Sequence, residues 1–535
     1  MQAALNWRWK MKQSERELHF KTLAQLFPKQ AALLELSAQW EEIQVTGICE
    51  DSRHIKSGDI FVARDGEHFK GTHYIDASIG NGAIAVLVDQ RSIDLTPALA
   101  SEHQVPVIAI ENLHFNVGKI AAEVFDNITA KMKIIGVTGT NGKTSCAHYI
   151  AQALNKLSVT SYIVGTLGNG HPDHLQEAQR TTPDACALHS LFADFYVQGV
   201  QAIIMEVSSH ALDQGRVQGV QFDVVSYTNL SRDHLDYHNT MQSYADAKAK
   251  LFTEYHSEHR ILNLDDPYNR ALHDTLNDQQ LTSVMSYCEN DSQTADMWAE
   301  DLSLVNGLRF TLATASEKLA VNTQLLGKFN LANLLLCSAV LKALGYSLLQ
   351  IQQRLNDLRP VPGRMQKVSL AVASHSSSDS ENMPMCVVDY AHTPDALEKA
   401  LQASRVHTQG KLIAVFGCGG DRDTGKRAEM AKVADQFADF SVVTSDNPRT
   451  EDPDSIIKMI VEGITNKAAH QVICDRREAI KQTVLNAQED DVVLIAGKGH
   501  EDYQEIMNVK HPFLDAQEVE QALLIRRTEG AGNEL

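Results

Sequence analysis

Gly139-Thr140-Asn141-Gly142-Lys143-Thr144-Ser145 follows a β-branched run, Ile134 to Val137, and leads into a helix predicted over Ser145 to Leu157. These residue types suit a nucleoside triphosphate. Glycines let backbone N–H groups close around phosphate oxygens, Lys143 supplies positive charge, the Thr144 hydroxyl is a Mg2+ ligand, and a helix N-terminus favours anions. The spacing departs from G-x-x-x-x-G-K-S/T, because position 137 is valine while glycines stand at 136 and 139. An ordinary glycine-rich turn is disfavoured by the Gly-Lys-Thr ending. The loop points to ATP or GTP and specifies no reaction.

Further polar clusters lie beyond other apolar runs. Glu206-Val207-Ser208-Ser209-His210 puts an acid, two hydroxyls and a histidine after Ala202 to Met205, where Glu206 is a candidate Mg2+ ligand. His210 is a candidate proton acceptor or a structural histidine. Asn229 to His238 packs two aspartates, two histidines and an arginine into ten residues, with no zinc-like spacing and no nearby cysteine. A magnesium-nucleotide site shared with Glu206 is the preferred reading. Lys248 and Lys250 are two apart on a predicted helix, so they point to different faces, and both read as solvated. In the last third, Asp389-Tyr390-Ala391-His392, Gly417 to Asp423, Asp446-Asn447-Pro448-Arg449 and Gly497-Lys498-Gly499-His500-Glu501 repeat the pattern, which predicts a binding face.

The elements that must position these groups are strands buried on both faces. Ala83 to Val88, Val105 to Ile110, Ile134 to Val137, Ala202 to Glu206, Val224 to Thr228, Leu412 to Phe416, Phe440 to Thr444 and Val492 to Ala496 are mostly continuous in apolar residues. Helical patterns fall between them, among them Leu331 to Leu344 and Ser455 to Ile464. This alternation predicts an α/β fold with mainly parallel sheets. A length of 535 residues exceeds one core. Boundaries are expected before Met132 and at the proline-rich turn Arg359 to Arg364, giving domains at 1–131, 132–360 and 361–535. Ser374 to Asn382 reads as a mobile hairpin loop.

A formal net charge of −20 argues against broad binding to nucleic acid or anionic membranes. Eight scattered cysteines without a C-x-x-C pair suit reduced thiols, and neither a signal core near the start nor a membrane-length apolar run is visible. The expectation is a cytoplasmic protein, acting as a monomer on small molecules.

Taken together and in order, Gly139 to Thr144, Glu206 to His210, Asp233 to His238, Gly327 to Asn333 and Asp389 to Pro394 resemble the Mur ligases of peptidoglycan synthesis. Those enzymes join an amino acid to a UDP-linked muramyl peptide using ATP. The resemblance implies three domains: an N-terminal UDP-binding one, a central P-loop one and a Rossmann-like C-terminal one. Within the family, Asp446-Asn447-Pro448-Arg449 looks like the signature of members that add meso-diaminopimelate to UDP-N-acetylmuramoyl-L-alanyl-D-glutamate (UDP-MurNAc-L-Ala-D-Glu). Diaminopimelate differs from lysine by a terminal carboxylate, and an arginine fork suits bidentate carboxylate binding.

By the same resemblance, Glu50, Ser52, Glu67, His68, Phe69, Arg180, Thr181, Thr182, Ser208, Gln214 and Arg216 would bind the nucleotide substrate. Asn333 would approach ATP alongside Gly139 to Ser145. Arg422, Asp446, Asn447, Pro448, Arg449, Gly497 and Glu501 would form the diaminopimelate pocket. Lys248 would be carbamoylated, converting a cation into a carboxylate-like Mg2+ ligand beside Thr144, Glu206 and His234, with Lys143 and His210 completing the catalytic set. The rivals are a lysine-adding relative, a folate-polyglutamate ligase of similar architecture, and a P-loop switch. For the switch, neither Asn155 to Ser158 nor Asn466 to Ala469 supplies the aspartate of a guanine-reading motif.

Overall fold

The computed structural model describes residues 16–33, 37–65, 70–91, 105–278, 284–289, 295–304, 307–370 and 383–531. Glu67, His68, Phe69 and the predicted loop Ser374 to Asn382 lie outside the described residues. The chain divides into two compact units, 1–298 with 333–351 and 299–332 with 352–535. Among the described residues no helix is long and apolar enough to cross a membrane.

The first unit contains two sheets. Gly47–Cys49, Asp59–Ala63, Ala85–Asp89 and Val107–Ile110 form a four-stranded parallel sheet in that order. The larger sheet runs Val284–Cys288, Ser257–Asn263, Phe222–Tyr227, Lys133–Thr138, Ala202–Glu206, Ser161–Gly165, all parallel, and continues into the antiparallel strands Gly168–His171 and His174–Gln176. The phosphate-loop strand Lys133–Thr138 is therefore central, flanked by the strands that end in Glu206 and Tyr227. Residues from both sides of Met132 share one hydrophobic cluster. Leu113, Val117, Ala121 and Val124 pack in one cluster with Ile134, Leu188, Phe192 and Phe222. Gly118 is what lets its helix approach so closely, since a Cβ there would run into the backbone carbonyl of Gln218.

In the second unit the sheet runs Gln366–Val368, Met385–Asp389, Val492–Ala496, Leu412–Phe416, Phe440–Val443, His470–Val472, with only the first strand antiparallel. Alternate residues feed two separate cores: Leu412, Ala414 and Phe416 enter one, and Ile413 and Val415 the other. Burial on both faces explains why these strands read as continuous apolar runs rather than alternating ones. Two hairpins, Leu308–Thr314 with Lys318–Thr323 and Tyr503–Ile506 with Val509–Pro512, complete the unit.

One buried ion pair joins the outer helices of this unit to the sheet. Arg476 and Asp515, both 0% exposed, meet through Nε to Oδ1 and Nη2 to Oδ2, each at 2.7 Å. Arg476 Nη2 also donates to the carbonyl of Ala496 at 3.0 Å, one residue before Gly497. Removing one partner strands a buried charge. Asp515→Ala is expected to lower stability by about 3 to 5 kcal/mol, read as an earlier denaturant midpoint, whereas replacing Arg476 and Asp515 together by Met and Leu should cost much less.

Candidate active site

The strand Lys133–Thr138 ends in Gly139, at φ 139°, and the helix Lys143–Lys156 begins after Gly142, at φ 88°. Both glycines adopt backbone that other residues avoid. A Cβ on Gly142 would come within 2.5 Å of Asn333 Oδ1, so Asn333 borders the loop. Cross-strand anchors hold the loop open. Thr140 N donates to the Asn229 carbonyl at 2.8 Å, Asn141 N to Asn229 Oδ1 at 3.1 Å, and Thr228 Oγ1 to the Asn141 carbonyl at 2.6 Å.

Two lysines converge on one carbonyl. Lys143 Nζ donates to the carbonyls of Gly139 and Thr140, both at 2.9 Å, and Lys248 Nζ donates to Gly139 at 2.8 Å. Lys248 is 1% exposed, and its ammonium lies 4.5 Å from the ring centre of Tyr244. Burial lowers its pKa well below the ordinary lysine value; the nearby charge of Lys143 adds to this and Asp233 opposes it. The expectation of two solvated lysines therefore fails for Lys248. Lys250 does lie at the surface, paired with Asp213 at 2.9 Å. The helix Met241–Thr253 turns position 248 inward and 250 outward, and only packing against the loop decides which.

Glu206 and Thr144 also meet, with Thr144 Oγ1 donating to Oε2 at 3.0 Å. The same carboxylate accepts from Thr166, N to Oε1 at 2.9 Å and Oγ1 to Oε2 at 3.2 Å. His234, in left-handed backbone at φ 53°, packs edge-on to His210 at 4.9 Å and lies 3.5 Å from Asp233 Oδ2. His210 lies among the rings of His234, Tyr237 and His238. Among the described residues, the acids, histidines and cysteines that approach as one close ligand group are Glu50, Asp184 and Cys186, and Glu206 and His234 are not in it.

The residues expected around the nucleotide substrate form a second cluster. Thr182 Oγ1 donates to the Glu206 carbonyl at 2.8 Å and accepts from Ser208 N at 3.1 Å; Ser208 caps the next helix by accepting from Ala211 N. Arg216 grips Gln214 Oε1 through Nε at 3.0 Å and Nη2 at 2.6 Å, and donates to the Thr182 carbonyl at 3.0 Å. Thr181 joins through Thr166 at 3.0 Å. Arg180 is exposed, and its charge reaches Glu50 and Arg216. Ser52 opens a short 3-10 turn, and its carbonyl accepts from Asn81 Nδ2 at 2.9 Å. The sequence reading overlooked Arg64, which pairs with Glu50 at 2.8 Å and meets His114 Nδ1 at 3.2 Å. No local motif marks it, because the pair forms only when neighbouring strands align.

In the second unit, Asp446, Asn447, Pro448 and Arg449 follow the strand Phe440–Val443. Asp446 and Asn447 are buried, and Arg449 adopts φ 52°. Its backbone N–H donates to the Glu505 carbonyl at 3.0 Å. Its guanidinium is already engaged: Nη1 donates to the Gly420 carbonyl at 2.7 Å, and Nε lies 3.3 Å from Glu505 Oε2. The expected open fork is thus partly occupied, and Nη2 with the second Nη1 hydrogen holds the remaining donor capacity. Asn447 Nδ2 donates to Glu501 Oε2 at 2.7 Å. A Cβ on Gly497 would approach Asp446 Oδ2 to 2.5 Å, so that glycine is required by close packing. Arg422 is exposed, with its Cγ 3.9 Å from where a Gly419 Cβ would lie.

Family models place this chain. The Mur ligase family catalytic domain matches residues 44–124, the Mur ligase middle domain 137–341, and the Mur ligase glutamate ligase domain 363–499. A relative from Coxiella burnetii, named UDP-N-acetylmuramoyl-L-alanyl-D-glutamate--2,6-diaminopimelate ligase, is 43% identical over 90% of this chain and 96% of its own length. The protein belongs to the Mur ligase family. A Pseudomonas putida member of the same name is 42% identical over 88% of this chain and 94% of its own. A solved Mur ligase structure bearing that name superposes with a TM-score of 0.68 at 35% identity, covering 95% of this chain and 99% of the other. A MurF ligase from Thermotoga maritima solved with ADP shares the fold at 17% identity, with a TM-score of 0.58 over 91% of this chain and 99% of its own.

Burial raises the Glu50 pKa from 4.5 to about 7, outweighing the opposing charge of Arg64. The folded chain thus keeps a proton that the unfolded chain has released. The stability this confers is complete below pH 4.5 and is lost as pH rises through 7. Glu50→Gln removes the dependence, so wild-type stability relative to the variant should fall by up to about 3 kcal/mol across that window. Urea unfolding at pH 5 and pH 7.5 measures it, and equal pH slopes in the two proteins would refute the burial argument.

Proposed function

We propose that this protein is an ATP-dependent ligase that adds meso-2,6-diaminopimelate to the D-glutamyl γ-carboxylate of UDP-MurNAc-L-Ala-D-Glu, a step of peptidoglycan precursor synthesis in the cytoplasm. The observation that carries it is the loop Asp446 to Arg449, on a chain 43% identical over most of its length to relatives named for that ligation. The working division is 1–131 for the UDP end, 132–360 for ATP and 361–535 for the amino acid, with Glu50, Ser52, Glu67, His68, Phe69, Arg180, Thr181, Thr182, Ser208, Gln214 and Arg216 holding the nucleotide substrate.

Chemically, a γ-carboxylate oxygen attacks the γ-phosphorus of ATP, the bond to the β-phosphate oxygen breaks, and ADP leaves an acyl phosphate. The neutral amine of diaminopimelate then attacks the acyl carbon, phosphate departs, and the amine proton is lost. The protein's task is positioning and charge neutralisation. Lys143 offsets charge on the transferring phosphoryl, Gly142 to Ser145 turn backbone N–H groups of the helix start toward ATP, Gly139, Thr140 and Asn141 line the loop around it, and Asn333 borders the nucleotide. Arg449 receives the distal carboxylate of diaminopimelate while Asp446, Asn447 and Glu501 face its ammonium groups, with Arg422 and Gly497 lining the pocket.

Thr144 and Glu206 would hold Mg2+, since a hydroxyl 3.0 Å from a carboxylate is the kind of oxygen-donor pair that Mg2+ takes beside phosphates. When bound, Mg2+ supplies charge neutralisation at the transferring phosphoryl. The cation Lys248 does not fit such a site as it stands. With its pKa depressed by burial, the neutral amine adds to CO2, a new N–C bond forms, a proton leaves, and the carbamate presents oxygens in place of an ammonium. His234 is a further candidate ligand.

Purified protein with ATP, Mg2+ and UDP-MurNAc-L-Ala-D-Glu is expected to release phosphate and form tripeptide with meso-diaminopimelate, and to use L-lysine at least about a hundredfold less well. Equal turnover of lysine would sink the role given to Arg449, and turnover of neither would sink the ligase reading. Lys248→Ala should lose roughly a hundredfold or more in kcat and regain part of it with added acetate or formate. Absence of any rescue in a variant that still binds ATP counts against the carbamate.

A further inference from the structure

Lys498 lies under the amino-acid loop and is 0% exposed. It sits between Gly497 and Gly499, both in left-handed backbone at φ 119° and 55°, which turns the side chain into the protein. An ammonium so placed draws its hydrogen bonds from protein groups rather than bulk solvent. Its partners are two residues of the proposed diaminopimelate pocket. Nζ donates to Asn447 Oδ1 at 3.0 Å and to Glu501 Oε2 at 3.0 Å, with the Tyr503 ring centre 5.4 Å away.

These contacts decide orientations. Asn447 Oδ1 also accepts from Glu505 N at 2.9 Å, so two donors fix the amide oxygen and direct Nδ2 to Glu501 Oε2 at 2.7 Å. Both bonds to Glu501 end on Oε2. Oε1 carries none among the described residues, so the acceptor offered to a ligand is chosen by the bonds on its neighbour. We infer that Lys498 is a positioning residue for the amino-acid substrate: its buried ammonium fixes the Asn447 amide and occupies Glu501 Oε2 together with Asn447 Nδ2, which leaves Glu501 Oε1 as the oxygen that accepts an ammonium group of diaminopimelate. This rests on the functional reading above, and Lys498 itself does not touch the substrate.

The test measures KM for meso-diaminopimelate, ATP and UDP-MurNAc-L-Ala-D-Glu in wild type, K498M and K498R. Wild-type protein that fails to turn over meso-diaminopimelate overturns the functional reading and not this inference. Given wild-type turnover, K498M is expected to raise KM for meso-diaminopimelate roughly ten- to a hundredfold while leaving the other two KM values within about twofold. K498R, which keeps the charge, should recover most of the loss. Equal changes in all three KM values, or an unchanged KM for meso-diaminopimelate in a K498M that binds ATP, overturn the proposal. So does a pair of variants that both lose ATP binding and cooperative melting, since Lys498 would then be a purely structural residue.

Discussion

A strand buried on both faces places most of its charged and polar groups at or beyond its ends, and this constraint organises both units. In the first, the phosphate loop, Glu206 and the residues after Tyr227 all lie at or just past carboxyl ends of adjacent parallel strands. In the second, Asp389, Asp446 and Gly497 do the same. The register of neighbouring strands converts distant stretches of sequence into a polar rim within each unit. Thr140 and Asn141 are anchored by Asn229 because the strands ahead of them pair residue by residue.

Buried cations are treated in two ways in these units. Arg476 is matched by Asp515, and Arg427, 0% exposed, is matched by Glu451 through Nη1 and Nη2 at 2.9 and 2.8 Å. These are closed arrangements, in which each charge answers another. Lys248 is different, since its hydrogen bond goes to the neutral carbonyl of Gly139 and the nearby cation Lys143 repels it. A lysine without a matching carboxylate in a dry site is driven toward the neutral amine, the form that reacts. Lys498 is intermediate, sharing one acid with an amide.

The architecture was legible in the sequence to the extent that burial on both faces is a property of composition. Ala202–Glu206, Leu412–Phe416 and Val492–Ala496 fall where the apolar runs end. The phosphate-loop helix begins two residues earlier than expected, at Lys143, because Gly142 in left-handed backbone serves as its cap. Pairs between distant segments were less legible. Thr144 with Glu206, Glu50 with Arg64, and Arg449 with Glu505 join residues from separate parts of the chain, and Glu505 sits on a hairpin whose backbone bonds to the Arg449 loop. The reading of Arg449 as an open fork missed that partner for this reason.

What the sequence determined by itself was the inventory and its order: the Gly-Lys-Thr loop, the acidic and histidine clusters after apolar runs, and Asp-Asn-Pro-Arg in the last third. Residue type and local spacing suffice for these, since a glycine's backbone freedom and a lysine's charge travel with the residue. Which charges are dry was decided by the tertiary structure alone. Lys248 and Lys250 are two positions apart and chemically identical, yet one is 1% exposed against the phosphate loop and the other pairs with Asp213 at the surface. Desolvation depends on what packs against a group from elsewhere in the chain, and with it go the pKa of Lys248, the proton on Glu50 and the orientation imposed by Lys498.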